Sequence, residues 1–242
     1  MVKGKIALVT GGGGGIGRAT CQVLARDGAI VVAGDLNIKS AEETIGILTG
    51  QGHKAMLLDV TKQESVDDLF DAIISHYGSP PAVIVNSAGI LRFSPFLEET
   101  ADLYDKQFNI NVKGTFFVTQ KACKKLKEAG IPGSVVNISS IAGKGVPCMI
   151  AYGITKASIE CFSKAVGREM AEFGIRCNVV CPGPIKTPLA DPVPEDYCNA
   201  TKQLIPMHRF GEPGEVAEMI GFLSSNKSSY INSAAVNIDG GY

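Results

Sequence analysis

The chain has 242 residues, 45% of them hydrophobic and 19% charged, which is enough apolar mass for one large α/β domain. With a formal net charge of −1 and a pI near 6.3, nothing draws it towards a polyanion, so nucleic acid is not an expected partner. No apolar run is long enough to span a bilayer.

The seven cysteines are odd in number, sit mostly in apolar surroundings and include no C-x-x-C pair; His53, His76 and His208 are scattered. This predicts reduced thiols in a reducing compartment and no metal site. The first five residues lead straight into a strand-like run, so no signal or transit peptide is expected.

Short β-branched runs alternate with longer amphipathic ones. Residues 5–10 form a buried-strand pattern, followed by a glycine cluster and a helix over 18–27. A strand is expected at 30–34, then a helix over 40–49 with Ser40 and Glu43 in capping-box spacing. A strand at 54–58 and a helix at 67–76 come next. A strand at 82–85 precedes a long helix within 102–129. A strand at 135–139 precedes a helix over 150–173. A strand at 175–181, a helix at 214–223 and a strand at 235–239 close the chain. Seven strands separated by helices predict an α/β fold: a single-domain, Rossmann-like, doubly wound, seven-stranded parallel sheet with helices on both faces. The proline-rich stretch 182–206 is the one irregular segment. It is a candidate substrate lid, taken over about 183–212.

Between the first strand and first helix runs Thr10-Gly11-Gly12-Gly13-Gly14-Gly15-Ile16-Gly17. Glycines permit a tight turn and let backbone N–H groups approach a pyrophosphate at a helix N-terminus. The register is open, since Gly12, Gly14 and Gly17 also satisfy G-x-G-x-x-G. Asp35 ends the second strand, 18 residues beyond Gly17. A carboxylate there accepts hydrogen bonds from ribose hydroxyls and repels a 2′-phosphate. No Lys or Arg occupies Gly14, Leu36 or Asn37, so the pattern favours NAD over NADP. Asp59-Val60 and Asn86-Ser87-Ala88-Gly89 follow the third and fourth strands and would line the same sheet edge.

Tyr152 and Lys156 lie four residues apart in a helical pattern, hence on one face. A phenol titrates near pH 10, poorly matched to proton transfer at neutrality, and a neighbouring ammonium is expected to lower that value. From spacing alone, such a pair is more often an ordinary helix surface.

Taken together, Thr10–Gly17, Asn86–Gly89, Asn111 in Asn111-Val112-Lys113-Gly114, Ser140 in Asn137-Ile138-Ser139-Ser140, Tyr152-x-x-x-Lys156, Pro182–Thr187 and Asp239-Gly240-Gly241 resemble the short-chain dehydrogenase/reductase family over essentially the whole chain. The resemblance implies an Asn111–Ser140–Tyr152–Lys156 tetrad. Ser140 would hold the substrate oxygen, and Tyr152 would transfer its proton while the nicotinamide transfers a hydride. Lys156 would bind the ribose, and Asn111 would keep a water linking Lys156 to solvent. Gly11, Gly14, Gly15, Ile16, Gly17, Asp35, Leu36, Asp59, Val60, Asn86, Ala88 and Gly89 would join Tyr152, Lys156, Ile185 and Thr187 around NAD. Ser140 is preferred to Ser139 because Ser140-x-x-Gly143 keeps its register with the preceding strand, although the stretch to Tyr152 is one residue short of a common family spacing.

Within the family, Ile175–Asn178, Pro206–Pro213 and Asp35 are similar to the 3-oxoacyl-[acyl-carrier-protein] reductases and to animal 17β-hydroxysteroid dehydrogenases. This implies a steroid (estradiol or testosterone) or a 3-hydroxyacyl/3-oxoacyl thioester as substrate. It also implies a homotetramer, or a heterotetramer with a related carbonyl reductase, in the mitochondrial matrix or cytoplasm. Lys124, Lys125 and Lys127 would supply part of a carrier-protein patch, but Phe173 stands where bacterial reductases carry a second arginine for it. The competing reading is a non-catalytic NAD-binding structural or regulatory subunit.

Overall fold

The computed structural model describes residues 2–242 and arranges the β-branched runs as seven parallel strands. These are β1 (Ile6–Thr10), β2 (Ile30–Asp35), β3 (Lys54–Leu57), β4 (Val83–Asn86), β5 (Gly133–Ile138), β6 (Ile175–Pro182) and β7 (Ala235–Ile238). Their spatial order is β3-β2-β1-β4-β5-β6-β7. Among the described residues the α-helices are α1 (Gly15–Arg26), α2 (Ile38–Gly46), α3 (Gln63–Tyr77), α4 (Ala101–Gln107), α5 (Thr115–Ala129), α6 (Ile150–Met170), α7 (Glu195–Leu204) and α8 (Pro213–Ser224).

Every residue of β1 and of β4 is buried, as strands covered on both faces must be. Side chains alternate between two cores. Val9 and Val85 pack with Leu24 of α1 and Ile220 and Leu223 of α8. Leu8 and Ile84 pack on the opposite face with Phe70 and Ile73 of α3 and Val118 and Leu126 of α5. Strand order reverses between β1 and β4. Connections leave that point in opposite directions and open a crevice at the strands' carboxyl ends.

Two local expectations are corrected. The α2 cap is Asn37, whose side chain accepts from Ser40 N, while Glu43 is drawn across to Arg18 at 3.1 Å; Ser40 and Glu43 therefore form no capping box. A capping box does exist at α8, where Glu212 and Glu215 exchange side-chain and backbone bonds. The long helix expected within 102–129 is α5, and a π-helical segment, Phe108–Gly114, joins it to α4 and carries Asn111. The 182–206 stretch is not wholly irregular, because it contains α7.

Candidate active site

The glycine loop adopts the Gly11/Gly15/Gly17 register rather than Gly12/Gly14/Gly17. Gly11 has φ +65°, and a Cβ there would lie 2.8 Å from Ala88 N. A Cβ on Gly17 would lie 2.0 Å from Gly11 O, so helix α1 closes against the loop only without one. Thr10 Oγ1 accepts from both Ser87 N and Ala88 N at 3.2 Å, tying the end of β1 to the loop after β4.

Asp35 accepts from Gly13 N and Asn37 N, each at 2.9 Å. Arg18 grips the same glycine from the other side, donating to Gly13 O at 2.6 Å and to Thr44 Oγ1 at 3.0 Å. Gly14 caps α1 without a side-chain bond, so the first N–H groups of the helix are free to meet an anion.

The loop forms one wall of a cavity of about 490 Å³ along the carboxyl ends of the strands. Gly11, Gly14, Gly15, Ile16, Asp35, Ala88, Gly89, Ile185 and Thr187 all line it. A Cβ on Gly15 would sit 3.3 Å from Thr187 Cγ2, which shows how closely the segment after β6 arches over the loop.

Ser140, Tyr152 and Lys156 make the far wall. Tyr152 is buried beside Leu91, Ala142, Val146 and Met149, with the Ser140 side chain near its phenol. Burial pushes the phenol up to about 12, with the Ser140 side chain opposing the rise. Spacing alone suggested that Lys156 would lower it; here the opposing group is Ser140. Lys156 Nζ donates to Ile138 O at 2.9 Å and lies 5.4 Å from the Tyr152 ring centre. Its own burial brings the amine down to about 8.

The two neighbouring serines separate by strand alternation. Ser140 Oγ faces the cavity and accepts from Ala142 N at 3.1 Å. Ser139 turns its hydroxyl towards α6, to Lys156 O at 2.8 Å and Glu160 Oε1 at 2.9 Å. The shortened stretch between Ser140 and Tyr152 carries Cys148 at φ +60°, a conformation unusual for a side-chain-bearing residue.

Other expected site residues stand behind the wall. Asn111 is buried; it accepts from Ile90 N and donates to Ile90 O and Thr155 Oγ1, while a Cβ on Gly89 would lie 3.2 Å from its Oδ1 and 3.7 Å from Lys156 Nζ. Asn86 points into the interior, donating to Thr119 Oγ1 and Asn137 Oδ1. Asp59 is engaged by Thr61 and Lys62, and Val60 packs at Gly114. Leu36 is 68% exposed, outside the cavity. Arg209 pairs with Glu215 at 2.7 Å on the surface at the start of α8.

Sequence reasoning missed the apolar channel beyond Tyr152: Leu91, Val146, Met149, Val193, Tyr197 and Phe210. Its one legible signal was the proline-rich segment after β6.

An acidic strand end, a glycine loop at a helix N-terminus and a buried Ser–Tyr–Lys wall fit a nicotinamide dinucleotide and define an oxidoreductase. The family profile described as Enoyl-(Acyl carrier protein) reductase matches residues 11–242. The (3R)-3-hydroxyacyl-CoA dehydrogenase of Homo sapiens is 38% identical, covering 99% of this chain and 96% of that protein. The 3-oxoacyl-[acyl-carrier-protein] reductase FabG of Thermotoga maritima is 36% identical over 99% of this chain and 98% of its own. Among solved structures, 3-ketoacyl-(acyl-carrier-protein) reductase from Brucella melitensis complexed with NADH superposes with a TM-score of 0.93 at 30% identity, covering 100% of this chain and 99% of that one. The chain belongs to the short-chain dehydrogenase/reductase family, and it is an enzyme acting on CH–OH groups.

Proposed function

We propose that the protein is an NAD-dependent oxidoreductase that interconverts 3-hydroxyacyl and 3-oxoacyl thioesters. The observation that carries this reading is the wall formed by Ser140, Tyr152 and Lys156 opposite the glycine loop, with an apolar channel beyond it. The bound dinucleotide supplies or accepts the hydride. Ser140 donates a hydrogen bond to the substrate carbonyl oxygen, and Tyr152 delivers its phenolic proton to that oxygen. In the reverse direction Tyr152 takes the proton from the alcohol. Lys156, steadied by the Ile138 carbonyl, holds the ribose hydroxyls. Asn111, pinned at Ile90 and Thr155, keeps the water that links Lys156 to solvent. Ile185 and Thr187 hold the carboxamide, and the segment 183–212 closes over the substrate.

NAD is favoured because Asp35 faces the ribose end and the nearby cation, Arg18, is committed to Gly13 O, Thr44 and Glu43. The names of the human and Thermotoga relatives and the apolar channel support an acyl thioester. Lys127 lies 3.9 Å over the Phe173 ring, where a carrier protein would ask for an arginine, which favours a coenzyme A thioester.

The assembly is read as a homotetramer or a heterotetramer with a related carbonyl reductase. Exposed Phe116 on α5 and Ile154 on α6 support this. Among the described residues no helix is long and apolar enough to cross a membrane. The free cysteines suit a reducing compartment such as the cytoplasm or mitochondrial matrix. An intact Ser140–Tyr152–Lys156 wall disfavours a purely structural subunit.

The test is a substrate panel with NAD, comparing 3-hydroxyacyl-CoA, estradiol and testosterone by absorbance of the reduced cofactor. Tyr152→Phe is expected to lower turnover at least about 100-fold with NAD affinity nearly unchanged. Undiminished turnover in that variant removes the mechanism, and preference for a steroid removes the thioester.

A further inference from the structure

Five consecutive glycines, Gly11–Gly15, form the loop beside the cavity. Glycine loses more conformational freedom on ordering than any other residue. A run of five therefore needs contacts from outside if the loop is to hold one shape before a ligand arrives. The fold supplies them at the middle of the run. Gly13 N donates to Asp35 Oδ2 at 2.9 Å, and Gly13 O accepts from the Arg18 guanidinium at 2.6 Å. The glycine is thus held at both its amide and its carbonyl. Asp35 lines the cavity and Arg18 does not, so the arginine acts from outside it.

Arg18 is itself anchored. Its Nε donates to Thr44 Oγ1 at 3.0 Å, and the nitrogen that meets Gly13 lies 3.3 Å from Ser40 O and 3.1 Å from Glu43 Oε2. Thr44 is fully buried, and its hydroxyl donates in turn to Ser40 O at 3.1 Å. Two separate nitrogens bonded at once fix the plane of the rigid guanidinium. Ser40 also closes on the glycine: a Cβ on Gly13 would lie 2.8 Å from both Ser40 Cβ and Asp35 Oδ2. Gly13 C=O and Gly14 N–H belong to one planar trans peptide and point in opposite directions. Holding the carbonyl therefore sets the direction of the Gly14 amide, and Gly14 lines the cavity at the cap of α1.

We propose that Arg18 is a positioning residue for the dinucleotide: by holding the Gly13 carbonyl from outside the cavity, it preorganises the five-glycine loop. Its loss is expressed as weaker cofactor binding, not as slower chemistry. The proposal rests on the reading of this cavity as a dinucleotide site and is independent of which alcohol is oxidised. Glu43, with its side chain 68% exposed, is dispensable for it, since a surface ion pair adds little.

The test compares the full chain as wild type, Arg18→Met and Glu43→Gln. Binding of NADH and of NADPH is followed by the fluorescence of the reduced nicotinamide. Arg18→Met should weaken binding of whichever dinucleotide the wild type prefers about tenfold or more, while Glu43→Gln stays within about threefold of wild type. In steady state the loss should fall on KM for the dinucleotide, with kcat at saturating cofactor within about threefold of wild type. Amide exchange in the cofactor-free chain gives a reading apart from activity. Gly12 N and Gly13 N, bonded to Gly34 O and Asp35, should exchange about tenfold faster in Arg18→Met, with the central strands unchanged. Wild-type affinity or wild-type exchange in Arg18→Met overturns the proposal. So does an equal loss in Glu43→Gln, which would assign the effect to charge, and so does a loss of protection throughout the Arg18→Met chain, which would assign it to the fold. A wild type that prefers NADPH removes the NAD reading and leaves the Arg18 comparison intact.

Discussion

Lys156→Met is expected to stabilise the protein while abolishing turnover. The Lys156 side chain is 6% exposed, and burial brings its amine from 10.5 to about 8. That fall corresponds to about 3 kcal/mol against the folded state wherever the amine is charged in both states, that is, below pH 8. Methionine fills a similar volume, carries no charge and suits a helix. The lost bond to the Ile138 carbonyl offsets about 1 kcal/mol. The net gain near pH 7 is then about 2 kcal/mol.

The sign follows from proton counts. Between about 8 and 10.5 the unfolded chain holds a lysine proton that the folded chain has released, so the wild type gains stability with rising pH. The variant's advantage must shrink across that window and reverse slightly near its top. Buried thiols act oppositely, since Cys21 and Cys177 are pushed up to about 12, but they are common to both proteins and cancel in the difference. Urea unfolding of wild type and variant at several pH values from 7 to 10 measures that difference. A variant less stable at pH 7, or a difference independent of pH, would refute the reasoning.

Three other outcomes are expected. Asp35→Ser removes the carboxylate that lines the cavity beside the glycine loop, so, on the proposed reading, the ratio of kcat/KM for NAD to that for NADP should fall at least about tenfold; an unchanged ratio would place discrimination elsewhere. Gly17→Ala puts a Cβ 2.0 Å from Gly11 O, so the loop must move; cofactor binding should be lost while circular dichroism still reports a folded α/β chain. With the Tyr152 phenol pushed up to about 12, alcohol oxidation should rise with pH from 7 to 10 as the phenolate fraction grows, and carbonyl reduction should not. Steady-state kcat/KM in both directions checks this, and equal profiles would put the proton on another group.

The strands were legible because a parallel strand buried on both faces is a continuous apolar run, as in Ile6-Ala7-Leu8-Val9. Helix α7 was not, because none of its residues is buried and prolines flank it; it offered no apolar stripe to read. Ser40 and Glu43 met the capping-box spacing, but a spacing does not reveal that Arg18, on another helix, takes the carboxylate. In the site, Asp35, the glycines, Tyr152 and Lys156 were visible because their chemistry is particular to few residue types. The channel was invisible because Leu91, Val146, Met149, Val193 and Phe210 are ordinary apolar residues from separate segments. The direction of the Tyr152 shift was misjudged for the same reason: spacing shows the lysine, while burial shows only in three dimensions.

Helix α6 explains how a buried tyrosine and lysine are held at one sheet edge. Apolar contacts alone tolerate a small rotation of a helix about its axis, whereas hydrogen bonds have direction and fix it. On the face of α6 towards the sheet, polar bonds alternate with Ile159, itself fully buried. Asn137 of β5 donates to Ser163 Oγ at 2.8 Å, and Ser139 reaches Lys156 O and Glu160. Asn137 in turn accepts from Asn86 at 2.7 Å, its register partner on β4, and Asn86 also donates to Thr119 on α5. The chain of bonds runs from α5 through two strands to α6, between the two halves of the fold. Asn86, expected in the sequence as a cofactor contact, thus has its side chain in the frame that sets the rotation of α6, and with it the place of the Tyr152 phenol about three turns from Ser163.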